Sequence, residues 1–348
     1  MRPLLHRILT SPPAGLLLVI LLLGTILTLF AGTHLDRRTG VEVNNFLNSN
    51  TLIQTATDAS FFAVMAVGAT FVIISGGIDL SVGSVYALAG VTMALVLRAL
   101  GPHSAVPTVL IALAISLAVG VVCGLINGVM VIGLPVHPFV ITLGTMWILR
   151  GLAFVVSRAE SILVPGALTE TVKATLGFAE SLYPVPMLVM VLTAVLGALY
   201  LEGTVMGRHI FALGGNAEAS RFAGLRLGRI QLGVFLVSGL TAGLAAFLGA
   251  SFYGSASCGD ATGYELYVIA SAVVGGASLT GGKGSAISAM LGALLIVLIR
   301  QSIRTLRLDQ NYEWIVIGAA IIVAVVLDQG SARMAARRLS PLQTGGAS

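Results

Sequence analysis

The chain has 348 residues, 57% of them hydrophobic and 9% charged, against about 25% charged in an ordinary soluble domain. Its mean hydropathy of +1.00 excludes a surface that mostly faces water, and repeated apolar runs of about 20 residues point to one bundle of membrane helices. The net charge of +5 is scattered without a basic stripe, and the two cysteines and five histidines stand at no ligand spacing. Nucleic acid, a disulfide framework and a zinc site are excluded on those grounds.

Ten hydrophobic segments follow in chain order, at about 14–32, 51–75, 82–100, 105–132, 138–157, 184–201, 230–252, 264–277, 285–300 and 314–328. The expected fold class is all-α: a polytopic membrane protein of about ten transmembrane helices in a single domain, 1–348. The first segment, behind MRPLLHR, lacks a small-residue cleavage site and reads as an uncleaved helix. The eighth is short and ends in glycines, so it reads as broken or re-entrant, which membrane depth tolerates only under cover of protein or a wet cavity. With the N-terminus inside, the cytoplasmic side receives ten Lys and Arg and the other side eight, with Arg150 inside a helix. Charge alone barely decides that topology.

The second run ends in SGGIDLSVGS, 75–84. Gly76 and Gly77 permit backbone that a helix cannot hold. Asp79 and Ser81 can cap the next helix at its first turn, or Asp79 can face a wet pathway as part of an inner gate. In the fourth run Gly120, Gly124 and Gly128 clear one stripe for close helix packing. Asn127, an amide in hydrocarbon, reads as interhelical glue or as part of a polar path.

The connection 201–231, between the sixth and seventh segments, is too polar to span. Within it NAEASRFAG offers Asn216 as a cap, helix formers, and Gly224 as a stop. It reads as a short helix outside the bilayer, held by anionic lipid or docked on a cytoplasmic partner. Farther on, Gly275-Gly276-Ala277-Ser278-Leu279-Thr280 echoes Gly76-Gly77-Ile78-Asp79-Leu80-Ser81, and under the N-inside topology both breaks reach the cytoplasmic side. GASLTGGKGS, 276–285, fails as a phosphate loop: Ala277 stands at the first glycine position and Gly284 where a hydroxyl must hold magnesium. Asp58 and Asp79 lie about 30 Å apart along one helix, too far to share a proton as an aspartyl protease requires. A secondary carrier calls for buried ionisable residues, of which the helix interiors are nearly free.

Five stretches, SGGIDLSVGS, GLINGVMV (124–131), HPFVITLGTMWILRG (137–151), GRHIFALGGNAEASRFAG (207–224) and GYELYVIASAVVGGASLTGGKGS (263–285), together resemble the ribose-type permeases of bacterial ABC sugar importers. The similarity runs from about residue 50 to 328. It implies ten helices with both termini in the cytoplasm of the inner membrane, and import of a ribose-, galactose- or galactofuranose-like sugar. It also implies an ATP-binding subunit, a periplasmic sugar-binding protein and a second permease as partners, with no cofactor beyond the ATP of the partner. Gly207, Arg208, Gly214, Asn216, Ala219 and Gly224 match the element that couples to the ATPase. Gly76, Gly77, Asp79, Ser81, Asn127, Gly275, Gly276 and Ser278 are the gate or pathway residues to expect. One departure is clear: Tyr267 stands where such permeases usually carry Asp, which leaves any ion pair there in question.

Overall fold

A computed structural model describes residues 12–35, 40–101, 104–176 and 183–319, together with 322 and 326. In chain order they form α1 (Pro12–Phe30), the hairpin β1 (Thr33–Leu35) and β2 (Glu42–Asn44), α2 (Ser49–Ile74), α3 (Val82–Leu100), α4 (Ala105–Gly133) and α5 (Pro138–Ser157). Then come β3 (Ile162–Leu163), α6 (Gly166–Val172), α7 (Val185–Gly203), α8 (Val205–Gly215), α9 (Ala217–Phe222), α10 (Leu227–Tyr253), β4 (Ser255–Ala256), α11 (Tyr264–Val274) and α12 (Ala286–Thr305). Among the described residues eight of these helices are long and apolar enough to span a membrane. Of the ten expected segments, the tenth lies partly outside the described residues, with 312–319 helical.

The eighth segment, α11, has 11 residues. At 1.5 Å per residue it covers about half of a ~30 Å hydrocarbon core, so the chain before it must enter the bundle as non-helical backbone. Arg150, within α5, satisfies that backbone: its guanidinium donates to the carbonyls of Cys258 at 2.7 Å and Asp260 at 2.6 Å. The basic residue stranded inside a span thus serves the re-entrant stretch beside it.

Apolarity does not set position in the bundle, since lipid accepts an apolar face as readily as protein does: the most apolar window of α1 has a mean hydropathy of 2.5 and that of α2 1.8. The most apolar window of α2 is 94% buried and that of α1 is 11% buried. Accordingly α2 runs through the centre, against α7, α10, α11 and α12, while α1 lies outside and packs on α12. The tightest pair is α4 with α10. Gly120 and Gly124 of α4 meet the backbone of α10 at Gly239 and Phe235, and Gly239 and Gly243 of α10 meet Gly120 and Ser116 in return. A side chain at any of these positions would occupy the space of the opposing backbone, so close approach here requires glycine on both helices.

Candidate functional site

The stretch after α2 does not stay at the end of the bundle. Ser81, the residue before α3, makes no capping bond with its side chain. Asp79 instead accepts from the backbone N–H of Ser81 at 2.9 Å and from its hydroxyl at 2.7 Å. Its second carboxylate oxygen accepts from Ser238 Oγ at 2.7 Å, and Asn127 Nδ2 donates to Ser81 Oγ at 2.7 Å. The helix-capping role expected for Asp79 and Ser81 is therefore replaced by a buried polar knot joining α4, α10 and the entry to α3. Ser238 is the twelfth of the 27 residues of α10, so the knot lies well inside the bundle, and Asp79 is 3% exposed. The placement of this whole loop at one surface is corrected accordingly. Ser238 gave no sequence signal, being a lone hydroxyl in an apolar run.

The first turn of α3 also meets the first turn of α11: Gly83 packs on Glu265 and on the Ala261 carbonyl. Two helices thus begin inside the protein, one entered from each end.

Both α2 and α11 end in the same turn. Gly76 has φ +88° and Gly276 φ +89°. The amides of Gly76 and Gly77 donate to Ile73 and Val72, as those of Gly276 and Ala277 donate to Val273 and Ala272. The equivalent pair is Gly76 with Gly276, one residue away from the register of the sequence echo, because the left-handed conformation and not side-chain similarity fixes the match. Beyond the turn the copies diverge: the first re-enters the bundle, whereas 277–284 folds on itself. Within it the amide of Ser278 donates to Lys283 and that of Gly281 to Ser278, and the amide of Gly282 donates across to Ile74 of α2 at 2.8 Å.

Onto these turns packs the connection 201–231. It holds two helices, α8 and α9, where one was expected. Asn216 lies between them, and its side chain accepts from Ala219 N at 2.9 Å. Gly224, at φ +82°, ends α9. Gly207 lies buried at the start of α8, and Arg208 is exposed. Gly214 meets the carbonyl of Ile74 and the amide of Gly282, while Gly281 meets Gly214. Three chain segments therefore touch through backbone alone at the common end of α2 and α8. On the outer side of this junction Phe222 is 83% exposed, a large aromatic in an otherwise polar element that sequence reading passed over.

The acid missing at Tyr267 is supplied from elsewhere. Glu313 accepts from the Tyr267 hydroxyl at 2.7 Å and pairs with Arg300 at 2.6 Å.

The model of the branched-chain amino acid transport system / permease component family matches residues 51–325. The chain is 37% identical over 287 residues to the D-allose transport system permease protein of Escherichia coli K12, covering 82% of this chain and 85% of that one. To the ribose import permease protein of the same strain it is 34% identical, covering 82% and 87%. The autoinducer 2 import system permease protein of Yersinia pseudotuberculosis YPIII is 30% identical over 82% and 85% of the two chains. No solved structure matches. The resemblance read from the five stretches stands, and the chain belongs to the family of branched-chain amino acid transport system permease components, as a multi-pass inner-membrane transport subunit and not an enzyme.

Proposed function

We propose that the protein is the membrane-spanning subunit of an ATP-binding-cassette importer that carries a neutral monosaccharide into the cytoplasm. The names of its relatives, for D-allose and ribose, support the substrate class. An ATP-binding subunit, a periplasmic sugar-binding protein and a second permease complete the assembly, and the ATP is used by the partner. Both termini face the cytoplasm, on the side of α8 and α9.

The observation that carries the mechanism is the backbone junction of Gly214 with Ile74, Gly281 and Gly282. An ATPase that presses on α8 and α9, around Arg208, Asn216, Ala219 and Gly224, moves both helix-ending turns at once, because no flexible side chain intervenes to absorb the stroke. The gate residues then divide by role. Gly76, Gly77, Gly275, Gly276 and Ser278 belong to the turns that the stroke displaces. Asp79, Ser81 and Asn127 hold the re-entrant stretch on α4 and α10. A secondary carrier needs a carboxylate that reaches water on each side in turn; Asp79 is enclosed and takes three hydrogen bonds.

The test is uptake by the chain assembled with its ATPase and binding protein in proteoliposomes. Gly214→Val is expected to insert, to retain ATP hydrolysis, and to lose uptake by about tenfold or more, which corresponds to ~1.4 kcal/mol of lost coupling. Wild-type uptake by this variant would remove the coupling assignment, and hydrolysis by the purified chain alone would remove the partner ATPase.

A further inference from the structure

Toward the end of the bundle opposite α8 and α9, two adjoining cavities of about 190 and 280 Å³ share Tyr264 and Arg300. We propose that they form a subsite for one neutral monosaccharide. This deepens the transport reading above and rests on it.

The walls divide into two chemistries. Rings make one face: Phe62 and Tyr264 stand 4.4 Å apart between centroids, with Tyr253 beside them and Trp314 in the second chamber. Such rings take the apolar C–H face of a sugar while their hydroxyls keep polar partners. Facing them are charges in balance, Asp58 and Glu313 against Arg300 and Arg304. Equal numbers of each sign disfavour a phosphorylated or anionic ligand and supply donors and acceptors to uncharged hydroxyls.

The charges are also unequally committed. Arg300 is locked, paired with Glu313 at 2.6 Å and stacked 5.6 Å from Phe62 and 5.3 Å from Tyr267. Asp58 and Arg304, on α2 and α12 across the first cavity, approach to 3.7 Å, and Arg304 remains half exposed. Asp58 Oδ1 accepts from Gln54 Nε2 at 2.9 Å, so it is Oδ2, loosely held by Arg304, that can exchange its partner for a ligand. The combined space lies near the lower end of the ~300–1,000 Å³ found for drug-sized pockets, the scale of a single sugar ring. By contrast, the crevice of about 500 Å³ between α1, α2 and α12 is lined almost wholly by apolar side chains such as Leu21, Leu29, Leu52 and Leu298, and suits a lipid chain.

Trp314 is one of two tryptophans in the chain, so in a Trp147→Phe background its emission reports the second chamber alone. The full chain in lipid nanodiscs would be titrated with D-ribose, D-allose and D-galactose, and uptake of the same sugars measured in the assembled importer. The expected result is a saturable shift with a transported sugar, weakened about tenfold or more by Asp58→Asn, which loses a hydrogen bond to a charged group, and by Tyr264→Leu, which loses the ring face. Because Tyr264→Leu removes a packed ring, the near-isosteric Asp58→Asn decides the matter if the former does not insert. A transported sugar that gives no saturable shift, or a shift unchanged by Asp58→Asn, overturns the subsite and leaves the transport reading standing. Uptake of none of the neutral sugars overturns the transport reading, and the ligand class with it.

Discussion

At the scale of single residues, Asp79 shows how a buried carboxylate is tolerated: three donors and no exposed edge. Asp79→Ala strands the Ser81 amide and the Ser238 hydroxyl inside the bundle and is expected to cost about 2–4 kcal/mol. Asp79→Asn keeps one oxygen for both Ser81 donors, and its amide can donate to Ser238 Oγ, so about 1 kcal/mol is expected. Thermal unfolding of the purified chain checks the order, and midpoints for both variants equal to that of the unsubstituted chain would show the knot to be dispensable. The sequence left Asp79 between a helix cap and a gate. It did not disclose the partner, because Ser238 lies 159 residues away and one serine in an apolar helix carries no periodic signal. Glu313 was hidden in the same way: a departure was visible at Tyr267, but its compensation sits 46 residues downstream.

At the scale of elements, hydrophobic runs located most spans to within a few residues, since a helix in lipid must be apolar along its whole length. The run 105–132 became α4, Ala105–Gly133, and 230–252 became α10, Leu227–Tyr253. Reading failed where backbone geometry governs, as in the one-residue register of the paired turns and the inward path after Gly77. The stripe Gly120, Gly124 and Gly128 was legible as a packing face, yet its partner Gly239 and Gly243, at the same spacing, was not recognised. Gly239→Leu is expected to cost at least about 3 kcal/mol, because the obstacle is the main chain of α4 and cannot move aside as a side chain does. Gly133→Leu, at a position that faces open space, is the control. Half-lives of the two variants in membranes should separate widely, and matching half-lives would refute the glycine-to-glycine contact as a determinant of stability.

At the scale of the whole molecule, the two ends of the bundle have different chemistry: glycine backbone and an exposed polar element at one, rings and balanced charges at the other. Phe222, exposed at the first end, is the side chain on which the docking proposed above can be tested. Truncating an exposed aromatic of this kind at an interface centre typically costs 2 kcal/mol or more, so Phe222→Ala is expected to weaken assembly with the ATPase by about tenfold or more. The unfolding midpoint of the chain alone should not change, since the ring is 83% exposed. Undiminished assembly would place the docking contact elsewhere. The glycine junction has a consequence for how such a protein diversifies. Main-chain atoms are the same whatever the residue, so contacts among Gly214, Gly281, Gly282 and Ile74 offer natural variation almost nothing to adjust. A substitution compatible with the stroke proposed above must therefore fall outside these positions, among the side chains at the two ends that the junction connects.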